Sequence, residues 1–179
     1  INLVSLQAEA LKLPLLIEKT SGLKEDELKD LERALKKAKA KFGISGVVTG
    51  ALFSEYQASR IGKICEDLEL ECFNPLWHKD QATYMKEIIS KNYEIIFSSI
   101  AADGLTKDWL GRKIIEEDVS DLIKLHSKNG LNVAGEGGEF ESLVVDCPLF
   151  KKKIKIIDSE TKMENEYTGR FLIKKAELE

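Results

Sequence analysis

The sequence predicts an α/β fold in two parts: a parallel, mostly buried sheet with helical crossovers over residues 1–102, then a smaller α+β subdomain over residues 103–179. Short apolar runs of strand length alternate with amphipathic helical stretches through the first part, the pattern of βαβ units with right-handed crossovers. Beyond about Asp103 strands follow one another without intervening helices. The chain has 179 residues, of which 43% are hydrophobic, enough to bury a core in one domain or two small ones.

An amphipathic helix is expected over Asn2 to Leu11, and the apolar run PLLIE, Pro14 to Glu18, has strand length. SGLKEDE, with Ser21 and Gly22, is a polar break. Leu28, Leu31, Leu35, Ala38 and Phe42 recur at three- and four-residue steps among Lys and Glu, the stripe of a surface helix that Gly43 ends. GVVT, Gly46 to Thr49, is a buried strand; a helix over Phe53 to Leu68 and a short strand, Glu71 to Phe73, complete the βαβ rhythm. Tyr84, Met85, Ile88 and Ile89 form another helical face before the apolar strand Glu94 to Phe97, expected in the same parallel sheet.

In the second part a helix is expected around Val119 to Lys128 and a strand at Asn132 to Ala134. Strands at Ser142 to Asp146, Lys153 to Asp158 and Arg170 to Lys175 follow, with DSETK as the turn between the last two.

Charge and cysteine content exclude several classes. A formal charge of −4 argues against a general nucleic-acid surface, which draws on clustered Lys and Arg. No apolar run reaches the roughly 20 residues that span a bilayer, and the first residues lack a signal-peptide pattern, so a cytoplasmic location is expected. Cys65, Cys72 and Cys147 form no CxxC pair, and with only His78 and His126 they make a poor zinc set; they are expected to be reduced, and no metal site is assigned. Abundant Lys, Glu and Ile beside few Gln resemble thermophile or archaeal usage.

The strongest chemical signal is GEGGEFES, Gly135 to Ser142. Gly135, Gly137 and Gly138 permit unusual backbone angles and close approach, while Glu136, Glu139 and Glu141 put three carboxylates into six positions. Like charges this close repel unless a cation relieves them, so the loop suits a cationic substrate group, ammonium or Mg²⁺, and one carboxyl would serve as a general base. The plainer alternative is an acidic hairpin turn.

A second segment, Val47 to Arg60, runs from a strand ending at Thr49-Gly50-Ala51 into a helix that Ser54 would cap, an arrangement suited to a phosphate or an adenine ring, with Tyr56, Gln57 and Arg60 on the first helical turns. Tyr56 read alone is as well explained as core. In a parallel sheet ligands gather beyond the carboxyl ends of strands, which also selects Asn74 to His78 with Trp77 and Ser98 to Gly104. Third is LTKDWLGRK, where Arg112 offers a bidentate grip on phosphate or carboxylate and Trp109 a stacking face, although a Trp also closes domain junctions. There is no GxSxG, HExxH, GxGxxG or GxxxxGK[ST], so serine hydrolase, zincin, dehydrogenase and Walker NTPase chemistry finds no support.

Together, GALFSEYQASR, NPLWHKD, ADGLTKDWLGR and GEGGEFESLVVDCPLF, in this order, resemble the diphthine-ammonia ligase family of ATP pyrophosphatases, the PP-loop superfamily. The resemblance covers nearly the whole chain, and NLVSLQAEALKLP looks like the family's helix leading to its next strand. It implies a nucleotide-binding domain of the adenine nucleotide alpha hydrolase type, and ATP-dependent amidation of diphthine on elongation factor 2 to diphthamide, with AMP and pyrophosphate released. By this resemblance Thr49, Gly50, Ala51 and Ser54 line the ATP site, and Glu136, Glu139 and Glu141 match the acidic motif on the substrate side.

Ammonium as nitrogen source, Mg²⁺ with the ATP, and elongation factor 2 as protein partner follow from the same resemblance; a homodimer stays open. Diphthine carries a trimethylammonium group, which carboxylates and the aromatic faces of Trp77, Trp109 or Tyr56 would hold. Family members begin with a strand and an SGGKDS pyrophosphate loop, and no such sequence occurs here, so the chain as it stands is expected not to hydrolyse ATP. Two other readings stand beside this one: another PP-loop adenylating enzyme, acting on tRNA or a small molecule, and a noncatalytic nucleotide- or partner-binding module.

Overall fold

The computed structural model describes residues 3–20 and 26–179, without the side chains at 26, 56 and 57. Asn2 of the expected first helix, Ser21 and Gly22 of the polar break, and the Tyr56 and Gln57 side chains lie outside the described residues. The chain divides into two compact units, Leu15–Lys79 and Ile1–Pro14 with Asp80–Glu179. The fold is α/β, with a two-stranded parallel sheet in the first of these and a four-stranded antiparallel sheet in the second.

In the unit Leu15–Lys79, helix α2 (Asp26–Phe42) is followed by β1 (Gly46–Val48), α3 (Glu55–Asp67) and β2 (Glu71–Phe73). The parallel pairing of β1 with β2, Gly46 opposite Glu71 and Val48 opposite Phe73, is the βαβ unit expected from the sequence. The run Pro14 to Glu18 is not a strand. Apolar residues alone do not make one: a strand needs a partner for its peptide groups. The segment is instead tied to α2 through Glu18, whose carboxylate takes Arg33 Nε at 2.7 Å and Lys37 Nζ at 2.5 Å. These two cations, Lys37 first, hold the Glu18 carboxyl below the usual carboxylate range.

All three cysteines are free thiols; Cys65 and Cys147 are buried and Cys72 half-buried. Cys65, on α3, hydrogen-bonds with Cys72 on β2, and its thiol is pushed up to about 11, by burial first and then by Cys72. An acid whose proton is held more tightly in the fold stabilises it below its unfolded value and loses that contribution as pH rises through the folded one. The wild-type protein is therefore expected to lose stability between about pH 9 and pH 11, and Cys65→Ala to lose less across that window. Urea midpoints at both ends of the window measure this; equal losses in the two proteins would remove Cys65 as the cause.

In the other unit, α1 (Leu3–Leu11) precedes α4 (Gln81–Ser90), β3 (Glu94–Ala101), a 3-10 turn at Lys107–Trp109, α5 (Glu116–Asn129) and the strands β4 (Phe140–Asp146), β5 (Ile154–Met163) and β6 (Thr168–Leu178). The strand order is β4-β3-β6-β5, with every pairing antiparallel. The apolar strand beginning at Glu94 thus belongs to this sheet rather than to the parallel one. Ile95 and Phe97 face a core built with α4 and α5, and Ile96 faces a second cluster with Val145, Ile154 and Leu6 of α1. A bulge between Phe97 and Ser99 resets the alternation and returns Ile100 to the first core.

Two further expectations are corrected. DSETK is not a turn; it is the second half of β5, with Ser159 and Thr161 half-buried and Glu160 and Lys162 exposed in strand alternation. The hairpin turns after Met163, where Asn165 Oδ1 accepts the Tyr167 and Thr168 amides at 2.9 and 2.8 Å. Asn132 to Ala134 forms a turn rather than a strand, for reasons that belong to the site.

Candidate functional site

The acidic segment is delivered by α5 and received by β4. Gly130, at φ 78°, ends α5 with its amide on the His126 carbonyl, and His126 Nδ1 lies 2.8 Å from the Leu131 carbonyl. Leu131 and Val133 are buried in the main core and anchor the loop on one side, as does Phe140 on the other, packed edge-on to Phe97 at 5.1 Å.

Between these anchors Asn132 organises the backbone. Its Oδ1 accepts the amides of Ala134 at 3.0 Å and Glu136 at 3.2 Å, and its carbonyl accepts that of Gly135 at 3.0 Å. Its own amide donates to Glu139 Oε1 at 3.0 Å. The Val133 amide donates to Gln81 Oε1, at the start of α4, at 2.9 Å, and the Gly138 amide to the Gly135 carbonyl at 3.1 Å. Every amide from 132 to 136 is therefore consumed inside the protein, which rules out a strand here.

The glycines are required by close approach. Gly135 has φ 76°, and a Cβ there would stand 2.8 Å from the Phe140 carbonyl oxygen. A Cβ on Gly137 would stand 2.5 Å from Glu139 Oε1, so the Glu139 carboxylate folds over that glycine. Gly138, at φ 89°, completes the turn with open space around it.

The three glutamates fall into two kinds. Glu139 is turned inward: its carbonyl accepts the Ala101 amide at 2.7 Å, Oε1 holds Asn132, and Oε2 is buried without a hydrogen-bond partner among the described residues. Glu136 and Glu141 are exposed. Glu136 lies in the field of Tyr84 on α4, whose phenol is raised by burial first, then by Tyr93, Glu136 and Glu87. With the amides of residues 132–136 and 138 accepted inside the protein and the Glu136 and Glu141 positions exposed, the loop's outer side offers carboxylate acceptors, which suit a cation better than an anion. Among the described residues no group of three His, Cys, Asp or Glu side chains is arranged to hold a metal ion.

Trp109 and Arg112 are engaged within the same unit. Trp109 is buried, edge-on to Phe97 at 5.2 Å, with the Arg112 guanidinium 4.0 Å above its ring. Arg112 Nη2 donates to buried Asp118 at 2.5 Å, and Asp118 Oδ2 accepts the Ile115 amide at 3.0 Å before α5.

In the unit Leu15–Lys79, Thr49 follows β1, with its amide on the Phe73 carbonyl and its hydroxyl bonded to Asn74 Oδ1. Gly50 is exposed with no atom within 4 Å of where a Cβ would stand, and Ala51 is buried. Ser54 immediately precedes α3 and its carbonyl accepts the Ala58 amide; Arg60 is half-buried on that helix. Trp77 stacks on His78 at 4.8 Å, and His78 on Phe53 at 5.5 Å. His78 holds a left-handed backbone, φ 58°, with its amide on the Leu52 carbonyl at 2.8 Å. Thr49, Asn74, Trp77, His78 and Phe53 thus gather after β1 and β2, where the parallel-sheet rule looks for a ligand.

Sequence reasoning missed Asn132 and Gln81. Asn132, three residues before a glycine, had a signal in the Asx-turn preference. Gln81 had none, because its partner is 52 residues away.

Residues 80–178 match the family model described as diphthamide synthase C-terminal domain, and residues 1–72 that described as diphthamide synthase N-terminal domain. The chain belongs to the diphthamide synthase family. The diphthine–ammonia ligase of Mus musculus is 38% identical over 174 residues, covering 90% of this chain and 65% of that protein. That of Homo sapiens is 38% identical over 167 residues, 87% of this chain and 62% of that protein. In Schizosaccharomyces pombe the ligase is 36% identical over 171 residues, 89% of this chain but 28% of a longer protein. The chain thus spans somewhat under two thirds of the mammalian relatives it matches. Among its described residues no helix is long and apolar enough to cross a membrane.

Proposed function

We propose that this chain carries the substrate side of an ATP-dependent amide ligase that converts diphthine on elongation factor 2 to diphthamide. The observation behind it is the acidic loop, in which the amides of residues 132–136 are accepted inside the protein while Glu136 and Glu141 lie at exposed positions. A trimethylammonium group donates no strong hydrogen bond and is best met by carboxylate charge, and ammonium is met by the same groups. The family match supports the same reaction.

ATP supplies the activation: the diphthine carboxylate displaces pyrophosphate to form an acyl adenylate. Ammonium gives up a proton to a base, and the resulting ammonia attacks the acyl carbon and expels AMP. Glu136, Glu139 and Glu141 are the candidates for that base and for the cation's seat, with Gly135, Gly137 and Gly138 allowing close approach. Thr49, Gly50, Ala51 and Ser54 would hold the nucleotide. The hydroxyl of Thr49 beside Asn74, and the open backbone at Gly50, suit a ribose or base edge. Tyr56, Gln57, Arg60 and Trp77 are the further substrate-binding candidates of this reading, while Trp109 and Arg112 are engaged by the fold. Mg²⁺ would enter on the phosphates, since it is bound through one or two carboxylates plus substrate oxygens more often than by a protein cage. A cytoplasmic location accompanies a translation-factor substrate.

Full-length protein given ATP, ammonium and diphthine-bearing elongation factor 2 is expected to release AMP only when both ammonium and the factor are present. AMP release that ignores either one would overturn the reading.

A further inference from the structure

Asn132 is half-buried at the base of the acidic loop, and four of the loop's hydrogen bonds run through it. Its side-chain oxygen accepts two amides, Ala134 and Glu136, and its main chain binds Glu139 Oε1 on one side and the Gly135 amide on the other. The first pair fixes where the chain bearing Glu136 leaves the core; the Oε1 bond fixes the carboxylate that lies over Gly137. A second side chain supports it from a distance, Gln81, which takes the intervening Val133 amide from the first turn of α4. That helix start is itself fixed, since Asp80 Oδ1 accepts the Thr83 amide at 2.8 Å.

We propose that Asn132 is a positioning residue for the ligase reaction: its carboxamide sets the direction in which Glu136 is presented and, with Gln81, keeps the Val133, Ala134 and Glu136 amides away from the substrate. The proposal rests on the amide-ligase reading. The loop would otherwise be free to turn amides outward, and amides facing the cation's seat would repel the group that the carboxylates attract. Removing the Asn132 side chain frees two amides and leaves Gln81 and Glu139 in place, so the fold is retained while the presentation of Glu136 changes.

The test has two readouts. In amide hydrogen exchange followed by NMR on this chain, Asn132→Ala is expected to speed exchange at Ala134 and Glu136 and to leave Val133, held by Gln81, unchanged. In the full-length protein, Asn132→Ala is expected to lower kcat per folded molecule about 10- to 100-fold, the cost of a misplaced reacting group, with KM for ATP unchanged. Asn132→Asp, whose carboxylate accepts the same two amides, is expected to recover most of that loss. A purely structural role would lower Tm without moving kcat per folded molecule. Unchanged exchange at Ala134 and Glu136, or a kcat within about twofold of wild type, overturns the proposal. Wild-type protein that releases no ammonium-dependent AMP instead overturns the reading beneath it, which separates the two failures.

Discussion

Replacing Asp118 by alanine is expected to destabilise the unit that carries the acidic loop by about 3 kcal/mol, the lower end of the cost of breaking a buried ion pair. Asp118 is 6% exposed, and both of its oxygens are used, Oδ1 by Arg112 and Oδ2 by the Ile115 amide that opens α5. Its removal leaves the guanidinium over Trp109 without its anion, and Arg112 Nε is already buried without a partner among the described residues. The Arg112 side chain is 37% exposed, so water recovers part of the loss, which places the estimate at the low end of the range. The double variant Arg112→Met with Asp118→Ala should be less destabilised than Asp118→Ala alone, because methionine can cover the indole without carrying a charge. Urea unfolding with unchanged m-values measures both; a loss under about 1 kcal/mol for Asp118→Ala would mean that solvent, not Asp118, balances the guanidinium. Arg112 was read from the sequence as a ligand-gripping arginine, and its anion turns out to be supplied by its own chain, six residues on.

That contrast marks what the sequence makes legible. Helical stripes such as Leu28, Leu31 and Leu35, or Tyr84, Met85 and Ile88, are local and period-specific, and α2 and α4 follow them. The parallel pairing of β1 with β2 is legible because a helix separates them in sequence. The partners of β3 are not. A strand buried on both faces reads as the same continuous apolar run in a parallel sheet and in the centre of an antiparallel one, and β3 lies between β4 and β6. The polar string DSETK hides the second half of β5 because exposed Glu160 and Lys162 alternate with small, half-buried Ser159 and Thr161. In the site, glycines and glutamates announce the loop, but the division of its carboxylates into one inward and two outward depends on Asn132 and on Phe140 reaching Phe97, neither of which a motif records.

That division yields the second large effect. On the proposed function alone, Glu139→Ala and Glu141→Ala would be expected to abolish amidation alike and to spare the fold. The structure separates them. Glu139→Ala removes the acceptor for the Asn132 amide and should cost about 1–3 kcal/mol, the penalty of a donor left unpaired. Glu139→Gln keeps an acceptor on Oε1 and puts a donor where Oε2 has no partner, so its stability should stay close to wild type. Glu136→Gln and Glu141→Gln, both at exposed positions, should leave thermal stability within about 0.5 kcal/mol of wild type. In the full-length protein one of the three Gln variants is expected to lose roughly 10²- to 10⁴-fold in amidation rate, the range of a general base, while the others chiefly raise KM for ammonium or for the protein substrate. If Glu139→Gln is the variant that loses rate, the inward carboxylate with the unpaired oxygen is the base, and the outward pair is the cation's seat. If instead all three keep rate and KM together, the loop is an acidic turn held in place by Asn132, and the proposed function loses the observation it rests on.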